Sequence, residues 1–295
     1  MRRKNASKTA ENVAGVRAAE SLRPEHQRVC YDPFAKRLIS TKYRILALSP
    51  FLTRTFLWFF GERVVPGAIG EGVVRTRYID DYLKECIGKE IQQLVILGAG
   101  YDSRAYRIDG LKGKVKVFEV DHPATQKAKT EKVKKVLGSL PDGVFYVLID
   151  FDQEKLGQRL FECGYDRNMK TLFIWEGVTM YMTAHAVDET LAFVVNNSGR
   201  GSSIIFNYIY QSVVDGTCEL EAAKRHQAAV TRLGEPFTFG IEEGKIEEFL
   251  SDRGFCQIKN ASPEFLERTY FIGANQGRKV CPYIPTVHAT VKPRV

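Results

Sequence analysis

The chain has 295 residues, 44% of them hydrophobic, with 43 Lys/Arg against 35 Asp/Glu and a net charge of +8. That length fits one large domain or two small ones, and the apolar share predicts a sizeable globular core. Residues 1–44 hold 11 Lys/Arg and 4 acids, so this segment supplies +7 of the +8 and leaves a nearly neutral body. Such a distribution argues against a nucleic-acid surface, points to a solvated helix face, and leaves an anionic ligand group near the segment as the alternative.

Six scattered cysteines (Cys30, Cys86, Cys163, Cys218, Cys256, Cys281) form no C-x-x-C pair. Neither a disulfide framework nor a zinc site has its spacing, so reduced thiols and a cytoplasmic protein are expected. The polar N-terminus lacks the apolar run of a signal peptide. The most apolar stretch, "ILALSPFLTRTFLWFF", is broken by Pro50 and Arg54. It is too short to span a bilayer and reads as a buried helix or a pocket wall.

In chain order, residues 7–22 place Ala10, Ala14, Ala18 and Leu22 at intervals of four behind Ser7. That spacing predicts a helix with a narrow small-residue face and a serine N-cap. A turn follows at Asp32-Pro33, and residues 73–88 read as a second helix. The middle of the chain then alternates. Strands are expected at 93–98, 114–121, 143–150, 170–177 and 201–210, with helices at 123–138 and 184–196 between them. Strand and helix at this rhythm predict an open, mostly parallel sheet covered on both faces. Beyond it come an amphipathic helix at 218–233, a helix closing at Gly254, and two late strands in "QIKNAS" and "RTYFIGA". The expected organisation is one domain: a helical extension and cap (1–90), a core (91–210), an inserted lid (211–240), and a C-terminal helix with late strands (241–295).

In such a sheet, ligands bind beyond the carboxyl ends of the strands. Here those ends carry Gly98-Ala99-Gly100, Asp121, Asp150-Phe151 and Glu176. Asp121 stands 21 residues after Gly100, where a carboxylate takes a ribose diol; capping the helix that starts at Pro123 competes for the same oxygens. A dinucleotide turn would carry a third glycine at Ser103, and Asp102 with the other acids would oppose a pyrophosphate. A ligand with a positive charge and no phosphate suits this edge better. S-adenosylmethionine is one, and the glycine turn would then hold its amino-acid end.

The segments "LVILGAGYDSRAYR", "FEVDHP", "IDFD" and "LFIWEGVTMYM" resemble the leucine carboxyl methyltransferase and tetracenomycin-type O-methyltransferase family. "SKTAENVAGVRAAES", "DPFA" and "VVRTRYIDD" resemble its bacterial and archaeal branch. The resemblance implies an α/β, Rossmann-like class I methyltransferase fold. Its sheet has seven mostly parallel strands, one late strand running antiparallel, with helices on both faces, a helical N-terminal extension and an inserted lid. It implies S-adenosyl-L-methionine as cofactor and S-adenosyl-L-homocysteine as product. By the same resemblance Arg75 pairs with the cofactor carboxylate, with Arg77 as the fallback in register and Arg17 as a second contact or else a surface charge. Gly98, Ala99 and Gly100 form the turn against the methionine moiety and Asp121 takes the ribose. Asp150 and the Phe151 backbone meet the adenine, and Glu176 lies near the amino-acid portion and sulfonium.

The function expected is O-methylation of a small organic acid or phenol, with neither nucleic acid nor membrane as partner. A carboxylate acceptor is already ionised at neutral pH, whereas a phenol calls for a base or charge-stabilising donor. No triad, metal cluster or Asp-His pairing is evident, and His122 and His185 read as structural or surface residues, so no catalytic base is assigned. Substrate choice is assigned to "FLTRTFLWFF", Met180-Tyr181-Met182 and residues 211–240. A nicotinamide-dependent oxidoreductase, or a non-catalytic protein that keeps the cofactor, are the alternatives.

Overall fold

The computed structural model describes residues 7–41, 62–150 and 154–293. Phe151 and the "FLTRTFLWFF" stretch lie outside them. The described residues form a seven-stranded sheet in the order β3-β2-β1-β4-β5-β7-β6. The strands are β1 Gln93–Leu97, β2 Lys116–Asp121, β3 Val144–Leu148, β4 Thr171–Trp175, β5 Ser203–Asn207, β6 Phe255–Ala261 and β7 Thr286–Val291. Strands β1 to β5 pair in parallel, and β7 alone runs against its neighbours β5 and β6. The described helices are α1 Lys8–Ser21, α2 Ala35–Leu38, α3 Ala68–Gly88, α4 Arg104–Arg107, α5 Pro123–Leu137, α6 Leu156–Glu162, α7 Ala184–Asn196, α8 Gln211–Val214, α9 Glu221–Arg232, α10 Ile246–Ser251 and α11 Pro263–Tyr270.

The near-continuous apolar strands follow from burial on both faces. Val95, Leu97, Phe118, Val120, Phe173 and Trp175 join one core with α6 and α7. Their alternates Leu94, Ile96, Val117, Leu172 and Ile174 join a second with α3. At the edge, β3 covers one face poorly and leaves Phe145 and Leu148 exposed.

Ser7 caps α1 as expected, its hydroxyl accepting from Ala10 N at 3.1 Å. Helix α3 starts five residues earlier than the sequence pattern suggests. The Glu62 carboxylate accepts from Gly67 N and Ile69 N at 2.8 and 3.2 Å and satisfies the first turn from outside it.

"RTYFIGA" is not a strand. Ser262 caps Phe265 N and Pro263 takes the first position of α11, so residues 263–270 coil and the chain leaves them through a 3-10 turn at Gly273–Asn275. The seventh strand is instead "TVHATV", a β-branched run between Pro285 and Pro293.

Candidate functional site

The carboxyl ends of β1, β2 and β4 and the loop after β3 open into one cavity of about 980 Å³. Gly98, Ala99, Gly100, Asp121, Asp150, Glu176 and Arg75 all line it, so the structure brings together every expected site residue that it describes.

The turn after β1 demands its glycines. Gly98 and Gly100 have φ of +65° and +45°, in the left-handed region. A Cβ on Gly98 would stand 2.3 Å from Val178 Cγ2, and one on Gly100 would stand 3.0 Å from Ala10 Cβ. The small-residue face of α1 therefore packs on the turn itself. From below, the buried Lys129 ammonium reaches the Ala99 carbonyl at 3.4 Å while it pairs with Glu119 at 2.8 Å.

Asp121 holds the same turn from the side. Its Oδ2 accepts from Gly100 N at 2.5 Å and its Oδ1 from His122 N at 2.6 Å. The N-cap of α5 is His122, whose Nδ1 accepts from Ala124 N at 3.3 Å. The competing cap role thus falls to the next residue. Asp121 also lines the cavity. His185 is exposed and lies 3.5 Å from Glu189, a surface pair.

Arg75 and Arg77 separate cleanly. Arg77 is exposed, donates to Asp81 and the Val29 carbonyl, and does not line the cavity. Arg75 is buried, with Nη1 on Glu71 at 2.6 Å and Nε on Glu176 at 3.0 Å. Arg17 is no surface charge either. It is 6% exposed, donates from Nε to Asp32 at 2.9 Å and from Nη2 to the Tyr101 carbonyl at 2.6 Å, and lines the cavity. Asp32 in turn caps α2 through Phe34 N and Ala35 N. Within the described residues, Arg75 Nη2 and Arg17 Nη1 make no hydrogen bond. One basic residue of the N-terminal segment therefore does face a ligand cavity.

Asp102, set by the sequence with the other acids against a pyrophosphate, is itself paired with an arginine. Arg104 bonds it with Nη1 and with its backbone N. Arg104 also reaches Asp80 from Nε at 2.7 Å and Glu176 from Nη1 at 2.7 Å, and Arg107 completes the pairing of Asp80. Asp80, Asp102 and Glu176 are thus compensated by arginines; Asp102 and Glu176 line the cavity, as do Asp121 from the end of β2 and Asp150 from the loop after β3. Arg104 went unassigned in the sequence. Its signal was the pairing of acid and arginines in "YDSRAYR", which spacing alone cannot aim inward.

These pairings set the ionisation states. Burial alone would push the Glu176 carboxyl up, but Arg104 and Arg75, with Arg17 beyond them, hold it well below the usual carboxylate range. Burial dominates at Glu71, which is pushed up despite Arg75. Glu176 is therefore a firm anion that fixes Arg75 and Arg104 in place.

Met180, Tyr181 and Met182 after β4, and Val230, Leu233 and Phe237 from and after α9, give part of the cavity an apolar wall; the sequence reading names both segments as candidates for substrate choice. Glu235 ties this wall to α1, accepting from Thr9 Oγ1 at 2.5 Å and Ser7 Oγ at 3.4 Å. Among the described residues no group of His, Cys, Asp or Glu is placed to hold a metal, and no helix is long and apolar enough to cross a membrane. The six cysteines are free.

Residues 10–195 match the family model described as leucine carboxyl methyltransferase. A Mycolicibacterium paratuberculosis protein named "Putative S-adenosyl-L-methionine-dependent methyltransferase" is 32% identical over 281 residues, covering 88% of this chain and 84% of that protein. The Bacillus subtilis protein "Putative S-adenosyl-L-methionine-dependent methyltransferase YktD" is 27% identical over 220 residues, covering 75% of this chain and 72% of that protein. A solved structure of a "putative methyltransferase" from Thermobifida fusca superposes with a TM-score of 0.59 over 95% of this chain and 94% of that one, at 12% identity. That likeness shows the shared fold.

Proposed function

The chain belongs to the leucine carboxyl methyltransferase family, and on that premise we propose that it transfers a methyl group from S-adenosylmethionine to an oxygen of a small organic molecule. The observation that carries this reading is the convergence in one cavity of the glycine turn, Asp121, Asp150 and the Arg17–Arg75–Glu176 cluster.

The donor set fits the cofactor's chemistry part by part. Asp121, pinned between Gly100 N and His122 N, presents carboxylate oxygens that suit ribose hydroxyls. Asp150 lines the same cavity from the loop after β3, and its carboxylate suits an adenine amino group. The nitrogens left over on Arg17 and Arg75 suit a carboxylate, and Glu176 offers its charge to an ammonium or sulfonium. The glycine turn, with no Cβ toward Val178 or Ala10, lets the backbone approach the methionine moiety.

When bound, S-adenosylmethionine supplies an electrophilic methyl group on a cationic sulfur. The protein's part is to align an acceptor with that carbon and to exclude water. Met180, Tyr181 and Phe237 would seat an apolar acceptor on the apolar wall.

Calorimetric titration tests the reading. S-adenosylhomocysteine should bind with one site per chain and NAD should give no heat. Binding of NAD with no response to S-adenosylhomocysteine would overturn it.

A further inference from the structure

His226 lines the cavity, as do Val230 and Phe237. It lies on the apolar stripe of α9, between the buried Ala223 and Val230. Its ring meets Phe237 edge-on, with centroids 5.0 Å apart at 79°, and Phe237 also packs on Tyr181 at 5.4 Å.

The hydrogen bonding points to which nitrogen carries the proton. His226 Nδ1 stands 3.2 Å from Tyr283 Oη, and that hydroxyl donates to the Ala222 carbonyl at 3.2 Å. A phenol has one proton to give. With it on the carbonyl, the contact to His226 requires a hydrogen on Nδ1, which leaves the lone pair on Nε2. Among the described residues nothing bonds Nε2, and it is not among the buried polar atoms sealed without a partner. Since the residue lines the cavity, we take that lone pair as the one offered to a ligand there. Burial, with the Arg75 charge second, pushes the imidazole down to about 4, so it is neutral at neutral pH.

The same wall discriminates between acceptors. Among the described residues, the arginine and lysine side chains lining the cavity are Arg17 and Arg75, both already paired with acids. Against Met180, Val230, Phe237 and Ile284 a carboxylate would meet, among the described residues, no further cation to offset its desolvation. A neutral ring hydroxyl carries no such cost, and its ring would find the Tyr181–Phe237 pair.

We propose that His226 is the general base of the methyl transfer and that the acceptor is a hydroxyl on an aromatic or enolic ring. This rests on the methyltransferase reading above. The acceptor oxygen forms its bond to the methyl carbon as the carbon–sulfur bond breaks, and that bonding pair stays on sulfur as a thioether. The hydroxyl proton passes to His226 Nε2 and from there to water. One positive charge is present before and after, on sulfur first and on the imidazolium second. The loss of the sulfur's charge raises the basicity of the imidazole as the proton arrives.

The test uses full-length wild type, His226→Gln and Tyr283→Phe. S-adenosylhomocysteine titration comes first, because loss of binding in wild type would sink the cofactor reading rather than the base. With binding intact, methyl transfer is measured to phenol, 1-naphthol, the more acidic 4-nitrophenol, and benzoate. We expect transfer to the hydroxyl acceptors and none to benzoate. The His226→Gln change should lower kcat by about 10²–10⁴-fold, leave S-adenosylhomocysteine affinity within twofold, and cost least with 4-nitrophenol, which ionises unaided. Nitrogen NMR should show His226 protonated on Nδ1 and bare on Nε2 at neutral pH, and Tyr283→Phe should mix the tautomers. Full activity in His226→Gln, equal losses across the phenols, transfer to benzoate alone, no transfer to any hydroxyl by protein that binds S-adenosylhomocysteine, or an Nε2-protonated ring would each overturn the proposal.

Discussion

At the scale of single residues, Asp121 and Arg104 illustrate two kinds of importance. Asp121 touches the ligand space, so Asp121→Ala should cost about 1.5–3 kcal/mol of S-adenosylhomocysteine binding, the size of a hydrogen bond to a charged group. Unchanged affinity in a folded variant would reduce Asp121 to an anchor for Gly100 and His122. Arg104 touches no ligand space and is 2% exposed, yet three carboxylates depend on it. Removing one partner of a buried ion network strands the others, so Arg104→Met should lower unfolding free energy by about 3–5 kcal/mol. A loss below about 1 kcal/mol in urea denaturation would show that Asp80, Asp102 and Glu176 relax to solvent. The two residues also differ in how legible they were. Asp121 ends an apolar strand at a telling distance from a glycine turn. Arg104 sits in a polar turn whose inward direction only the folded chain decides. His226 went unassigned in the sequence, because the stripe Ala223–Val230–Leu233 marks a helix face without showing its partner Tyr283.

At the scale of elements, the strands β1 to β5 and the cap of α1 could be read because burial on both faces imposes apolar runs and a helix start favours Ser or Thr. The last strand could not be read as easily. "RTYFIGA" is as apolar as "TVHATV", and the choice was made by a local signal, Ser262-Pro263, that starts a helix before the apolar residues arrive. The position of Glu235 is a tertiary fact of the same sort. It joins the loop after α9 to the start of α1 over the cavity. Glu235→Ala should release that tie and weaken S-adenosylhomocysteine binding by about 0.5–1.5 kcal/mol through faster dissociation. Stopped-flow displacement reads the rate, and an unchanged off-rate would mean that the contact closes nothing.

At the scale of the whole molecule, the buried charges predict acid lability. Burial pushes His226 and His288 from 6.5 down to about 4. A histidine whose folded pKa is depressed contributes stability that is whole above about pH 6.5 and is lost as pH falls toward 4. Against the push of burial, Asp32 is held low by Arg17 and Glu176 by Arg104 and Arg75, so their contributions vanish on further acidification. Glu71 and Glu119, raised by burial, act in the opposite direction. Between pH 7.5 and 4.5, wild type should lose about 2–3 kcal/mol more than His226→Gln, since a tenfold change in proton affinity is worth about 1.36 kcal/mol. Equal losses would mean that the imidazole is solvated in the folded state.

Whether the strand ends grip one nucleoside-bearing sulfonium is decided by a crystal structure with S-adenosylhomocysteine. Ribose hydroxyls should lie on Asp121, the adenine amino group on Asp150, and the carboxylate between Arg17 and Arg75. The sulfur should face the Tyr181–His226 side. A ligand bound in another cleft, or lying with its carboxylate toward Asp150, would refute that arrangement.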